Sequence, residues 1–120
     1  MTRILAVDDS PSMRDMVRIA LSGAGFQVTQ AADGAEALEL ARKDSFDLVL
    51  SDVNMPRMDG ISLIRALRAE VAYKHTPILM LTTESSAERK REGKDAGATG
   101  WIVKPFDPAQ LVATMQRVLR

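Results

Sequence analysis

Four apolar runs in this 120-residue sequence each end in a polar residue. Ile4–Val7 runs into Asp8-Asp9, Leu48–Ser51 into Asp52, Ile78–Leu81 into Thr82, and Trp101–Val103 into Lys104. If these runs are parallel strands of one sheet, their carboxyl ends share an edge, and open α/β sheets hold their ligands at that edge. Three carboxylates, a hydroxyl and an ammonium would then converge. Like charges that close repel one another, and a hard divalent cation relieves the repulsion. Mg²⁺ suits such a site because it takes one or two carboxylates, several waters and a phosphate oxygen. His75 is the sole histidine and cysteine is absent, so no zinc set exists. A carboxylate beside such a metal can attack phosphorus to form an acyl phosphate. Phosphoryl transfer asks mainly for positioning and charge neutralisation. Asp52 is the expected nucleophile, with Lys104 and Thr82 set to offset and hydrogen-bond the transferred group.

Taken singly, these residues have plainer readings. A strand-end Asp is commonly a turn former or helix cap, Thr82 a hydroxyl bonded to backbone, and Lys104 a solvated lysine. The ordered set is what points to chemistry. Asp59, followed by Gly60, reads as a turn residue or helix cap rather than a ligand. Asn54 fits either a loop-satisfying role or a place beside the phosphoryl group. His75 is expected to be exposed and inert, and Met13, Met16 and Met115 to pack in the core.

The elements that must position this set are legible from local pattern. Arg3–Val7 is a buried strand. Ser10 caps the next helix and Pro11 takes its first position. Met13, Met16, Val17, Ala20 and Leu21 form its apolar stripe, and Gly23 and Gly25 end it. Phe26–Ala31 is a weaker strand, placed nearer a sheet edge. Asp33-Gly34 turns into a helix with Ala37, Leu38 and Ala41 inward. Asp47–Ser51 is the central strand, buried on both faces. Val53–Gly60 carries a proline and a glycine and cannot continue it. Gly60 opens a helix with Ile61, Leu63, Ile64, Leu67 and Arg68 along it. Pro77–Thr82 is a fourth strand. Ser85 or Ser86 caps a helix over Ala87–Asp95 that lacks an apolar stripe and so should lie exposed. Gly97 stops it, Gly100–Val103 is the fifth strand, and Asp107-Pro108 begins a last helix burying Leu111, Val112, Met115, Val118 and Leu119. Strict alternation of strands and helices with short connections predicts a doubly wound α/β domain with a five-stranded parallel sheet.

Asp8-Asp9, Ser51–Gly60, Leu81-Thr82 and Lys104-Pro105-Phe106, in this order across the whole chain, resemble the receiver domain of two-component response regulators, most closely single-domain chemotaxis regulators of the CheY type. The resemblance implies the flavodoxin-like (βα)5 fold with strand order 2-1-3-4-5. CheY is itself a standard instance of that order, so the order comes from the likeness and not from the residues. The resemblance further implies that Asp52 takes a phosphoryl group from a histidine kinase. Asp8, Asp9, Asp52 and the backbone carbonyl of Asn54 would hold Mg²⁺, and Lys104 would pair with the phosphoryl group. Thr82 would move towards it and couple to Trp101, remodelling the face made by the polar helix, the fifth strand and the last helix. Asn54, Thr83 and Glu84 occupy positions that tune phosphoryl lifetime, and Lys104-Pro105 would be cis. Trp101 stands where tyrosine or phenylalanine is usual, Thr83 where alanine is common, and Val53 where the best-known enteric member has tryptophan.

Sixteen basic residues balance sixteen acidic ones, so no electrostatic footprint for nucleic acid is present. Ile4–Val7 is too short for a signal peptide or membrane span, which suits a cytoplasmic address without membrane insertion. With the last helix reaching Arg120, the expectation is one receiver domain over 1–120 without an output domain. Output would pass through protein contact, such as a flagellar motor switch, with a phosphatase as a further partner. A phosphorelay shuttle, a phosphate sink or a pilus-motility regulator would use the same site. A haloacid dehalogenase-like phosphohydrolase is the enzyme alternative, but it needs a second Asp two residues after a first-strand nucleophile. A flavin or nucleotide binder lacks its glycine-rich loop here.

Overall fold

A computed structural model of the chain describes residues 1–119; the expected end of the domain at Arg120 lies outside them. The elements follow in the order β1 (Arg3–Val7), α1 (Pro11–Gly23), β2 (Gln27–Ala31), α2 (Gly34–Lys43), β3 (Leu48–Ser51), α3 (Gly60–Arg68), β4 (Ile78–Thr82), α4 (Ala87–Ala96), β5 (Gly100–Val103) and α5 (Pro108–Val118). The five strands form one parallel sheet in the order β2-β1-β3-β4-β5. The expected doubly wound fold and strand order are therefore observed.

Side chains alternate across a strand, and here both faces are covered. Ile4, Ala6, Leu48, Leu50, Leu79 and Leu81 pack with Val17 and Leu21 of α1 and Leu111 and Met115 of α5. Leu5, Val7, Val49, Ile78 and Met80 pack on the other face with α2 and α3. That is why β1, β3 and β4 read as unbroken apolar runs, while the edge strands β2 and β5 are only partly buried.

Cap chemistry closes the local account. Ser10, Asp33, Asp59, Ser86 and Asp107 cap the five α-helices, each side chain accepting from a backbone N–H in the first turn. This settles Ser86 over Ser85 and makes Asp59 a cap, bonded to Ser62 N–H at 2.8 Å. In α4, Gly93 is the buried residue, in keeping with a helix lacking an apolar stripe.

Three features depart from the sequence reading. Met16 is 52 % exposed rather than in the core. Met13, Val17 and Leu21 make a narrow stripe seated between the sheet and α5, and Met16 falls on the flank of α1 away from Leu21. A one-turn 3-10 helix, Val71–Tyr73, lies unanticipated between α3 and β4. Arg68 is a carbonyl clamp, not simply another position along α3. Its guanidinium donates to the carbonyls of Tyr73 (2.7 Å), Thr76 (2.6 Å) and Gly97 (2.8 Å).

Candidate functional site

Register brings the polar residues together. Val7 pairs with Ser51, and Thr82 with Val103, so the residue after β1, β3 or β5 emerges at one edge. The ladder continues a step beyond the strands: Asp8 N–H donates to Ala31 carbonyl, Asp52 N–H to Val7 carbonyl and Lys104 N–H to Thr82 carbonyl, at 3.1, 2.9 and 2.8 Å. Asp8, Asp52 and Lys104 thus sit on backbone as rigid as the sheet itself, the support a site needs if it is to hold its geometry.

Carboxylate oxygens of Asp8, Asp9 and Asp52 lie within 4.8 Å of one another. Asp8 and Asp52 are buried, whereas Asp9 is exposed. Lys104 bridges the two buried carboxylates: its Nζ donates to Asp8 Oδ2 at 2.7 Å and to Asp52 Oδ2 at 3.2 Å. Burial opposes the charged form of Lys104, but the hydrogen bonds and charges of Asp8 and Asp52 outweigh it and hold the pKa above the usual lysine value. Backbone donors complete the pattern, with Ser10 N–H on Asp8 Oδ1 at 2.9 Å and Val53 N–H on Asp52 Oδ1 at 2.7 Å.

The donor set fits a hard cation. Oxygen ligands at about 2.1 Å in an octahedron stand roughly 3 Å apart when adjacent and about 4.2 Å when opposite, so the three carboxylates need only a small closure around one ion. The set is all carboxylate oxygen, with no histidine or cysteine in it, and so suits a hard cation such as Mg²⁺. Asn54, whose carbonyl was the expected fourth protein ligand, lies exposed in the loop just after Asp52.

Thr82 is fully buried. Its Oγ1 accepts from Glu84 N–H at 3.1 Å, which leaves the hydroxyl proton free to donate elsewhere. The Glu84 carbonyl in turn accepts from Trp101 Nε1–H at 2.9 Å. The Glu84 backbone therefore stands between Thr82 and the indole, its N–H bonded to one and its carbonyl to the other. Trp101 is half-buried on β5 and leans on α4 at Gly93, where a Cβ would come within 2.7 Å of the ring. A glycine at that helix position is what admits an aromatic of this size. Glu84 is held below the usual carboxylate range, first by the Ser86 N–H and Ser86 hydroxyl, then by Asn54 and Arg89. Thr83 is exposed. The Lys104–Pro105 peptide is cis.

Sequence reasoning missed three supporting side chains. Arg14 of α1 donates from Nη1 to the Asp8 carbonyl at 2.7 Å. Ser51 Oγ donates to the Asp52 carbonyl at 2.8 Å. Arg57, between Asp52 and Asp59, forms a two-point ion pair with Asp33 at the start of α2. That pair is the leading cause of a lowered Asp33 pKa, followed by the Glu36 N–H. An arginine in a loop carries no signal of its partner when that partner is 24 residues away.

Residues 4–116 match the family model of the response regulator receiver domain. Among curated relatives, the chemotaxis protein CheY-3 of Vibrio cholerae is 44 % identical over 117 residues, covering 97 % of this chain and 90 % of the relative. Among solved structures, the chemotaxis protein CheY4 of Vibrio cholerae superposes with a TM-score of 0.94 at 58 % identity, covering 98 % of each chain. The receiver domain of a Pseudomonas aeruginosa sensor histidine kinase, with a magnesium ion coordinated in its active site cleft, has a TM-score of 0.92 at 31 % identity, covering 98 % of this chain and 97 % of that one.

Proposed function

The chain belongs to the response regulator receiver family, and on that premise we propose that residues 1–120 work as one receiver that switches when Asp52 is phosphorylated. The observation that carries this is the placement of the buried Asp52 carboxylate beside Asp8, Asp9 and Lys104 at the sheet edge. An Asp52 oxygen attacks the phosphorus of a kinase phosphohistidine, the phosphorus–nitrogen bond breaks with its electron pair going to the nitrogen, and the imidazole leaves neutral, its ring carrying one proton taken up from solvent. Asp8, Asp9, Asp52 and the Asn54 carbonyl hold Mg²⁺, which supplies positive charge against the attacking carboxylate and the transferred oxygens. Lys104 leaves its Asp52 contact for the new phosphoryl oxygens while keeping Asp8, the shorter of its two bonds. Thr82 presents its free proton to another of those oxygens. Asn54 and Glu84, which flank the site, and exposed Thr83 set how readily water reaches the acyl phosphate.

Movement of Thr82 strains its bond to the Glu84 N–H and so shifts the Glu84 backbone, whose carbonyl holds Trp101. The readout is the face of α4, β5 and α5, which includes a groove lined by Lys90, Lys94, Ala98, Thr99, Gly100 and Trp101. Similarity to the two Vibrio chemotaxis proteins supports a place in chemotaxis signalling, with a flagellar motor switch as the target and a phosphatase as terminator. Among the described residues no helix is long and apolar enough to cross a membrane. A cytoplasmic site of action is part of the proposal.

The test is intact mass after incubation with acetyl phosphate, with Mg²⁺ and with a chelator. One added phosphoryl group that requires Mg²⁺ is expected; no adduct on folded protein, followed by failure to bind beryllofluoride, would overturn the reading. In parallel, fluorescence of Trp101, the only tryptophan, should change on phosphorylation.

Lys104→Ala should still take the phosphoryl group, because Asp52 and the metal ligands remain. The Trp101 response should be lost, since no cation then draws the phosphoryl group towards β5. An adduct with a normal fluorescence change would remove Lys104 from the switch.

A further inference from the structure

The loop that follows Asp52 is tied to a part of the fold that the chemistry does not otherwise use. Between Val53, which is fully buried, and the start of α3, the exposed residues Asn54, Pro56 and Arg57 run through solvent. Within itself the loop has little holding it: Met58 N–H donates to the Pro56 carbonyl and Gly60 N–H to the Val53 carbonyl. Met55 and Met58 pack against the core beneath it, and its hydrogen-bonded ties to the rest of the fold include two at the start of α2. Gly34 N–H donates to the Met58 carbonyl at 3.0 Å, and the two backbones are so close that a Cβ on Gly34 would overlap that oxygen. Beside this contact Arg57 reaches across, Nε to Asp33 Oδ2 at 2.8 Å and Nη2 to Asp33 Oδ1 at 3.0 Å.

Asp33 is a fixed post. It is 7 % exposed, it caps α2 through Glu36 N–H at 2.9 Å, and Glu36 reaches back to Ala32 N–H at 2.8 Å. Arg57, by contrast, has a side chain 63 % exposed and takes φ +65°, the left-handed region that favours glycine. It is the one non-glycine residue with positive φ among those described. A branch-free glycine would suit that backbone better. What arginine adds at this position is the planar two-point grip on a carboxylate, and the strained conformation is what aims the side chain at Asp33.

We propose that the Arg57–Asp33 pair is a positioning clamp that sets the Mg²⁺ affinity of the site by fixing the Asn54 carbonyl, three residues upstream. Arg57 touches neither metal nor phosphoryl group. The inference rests on the reading of Asp8, Asp9, Asp52 and Asn54 as the metal set. With the clamp open, the loop pivots on Val53 and Met58, and the carbonyl must be re-ordered each time an ion binds. Groups that orient ligands from behind typically govern metal affinity by tenfold or more.

The test is Mg²⁺ binding to the full chain by calorimetry, with Mn²⁺ paramagnetic resonance as a second readout. Arg57→Gly removes the guanidinium and keeps the backbone conformation at no steric cost. Asp33→Asn removes the charge and keeps an equally good helix cap. Each variant should bind Mg²⁺ roughly tenfold more weakly, and the double variant should be no weaker than the weaker single. Labelling by acetyl phosphate should return to the parental rate at saturating Mg²⁺, which a general loss of structure would not allow. Parental affinity in both single variants would overturn the clamp. So would parental affinity with a labelling rate that stays low at saturation, which would place Arg57 on the phosphoryl group instead. If the parent chain binds no Mg²⁺, and Asp8→Asn is indistinguishable from it, the metal reading itself fails and takes the clamp with it.

Discussion

Asp52→Asn is expected to yield a folded protein that takes up no phosphoryl group from acetyl phosphate at any Mg²⁺ concentration. Asparagine keeps the shape of the side chain and an oxygen to accept the Val53 N–H, now made by Asp52 Oδ1 at 2.7 Å. Lys104 keeps its shorter bond, to Asp8. Removing one of three carboxylates within 4.8 Å also relieves repulsion, so thermal stability without metal should be equal or higher. The amide, however, has no anionic oxygen to attack phosphorus. Intact mass and a melting curve on the same sample separate the two effects. A phosphoryl adduct on the variant would move the nucleophile elsewhere, with Asp8 or Asp9 next to be tested. A collapsed melting curve would mean that Asp52 is structural.

Gly60→Ala should be the most damaging single methyl in the chain. Gly60 begins α3 directly behind Asp52, its N–H bonded to the Val53 carbonyl at 2.8 Å. A Cβ there would overlap the Asp52 carbonyl oxygen and stand 2.6 Å from the Met80 methyl. Met80 can turn aside; the Asp52 backbone, tied to β1 through Val7, cannot. Overpacking usually costs about 1–3 kcal/mol, and a clash with fixed backbone belongs at or above the upper end. About 3 kcal/mol corresponds to roughly 10–15 °C in melting temperature for a domain of this size. Gly23→Ala is the matched control: nothing lies within 4 Å of its added methyl, and alanine in a helix is favoured by about 0.5–1 kcal/mol. Melting of the Gly60 variant within a few degrees of the parent would show that the sheet edge yields, and the rigidity claimed for the site would fall with it.

The residues of the proposed site were readable because each marks a local event. An apolar strand stops where a polar side chain meets the edge, and a parallel sheet gathers such stops without further instruction. Hence Asp8, Asp9, Asp52, Thr82 and Lys104 stand at one edge as expected, and Ser10, Asp33 and Asp59 begin helices. Strand order was legible only through family resemblance, because alternation fixes parallel pairing but not which strand lies next to which.

Tertiary structure decided what no local pattern encodes. Helical spacing placed Met16 on the inner stripe of α1, but how far a helix rolls against its sheet depends on its neighbours, and here α5 leaves Met16 in solvent. For Arg57 and Arg68 the sequence offered no partner. One grips a carboxylate 24 residues away, and the other gathers carbonyls from the α3–β4 connection and from the end of α4. Long flexible side chains reach many partners, so their sequence context constrains them least. Trp101 was legible as the aromatic of β5, but its hydrogen bond to Glu84 and its seat on Gly93 follow from α4 packing. The sequence by itself determined the alternating fold and the set of groups at its edge, because apolar period and cap chemistry act over a few residues. The closeness of those groups and the clamp behind them belong to the folded chain, because both depend on contacts between segments far apart in sequence.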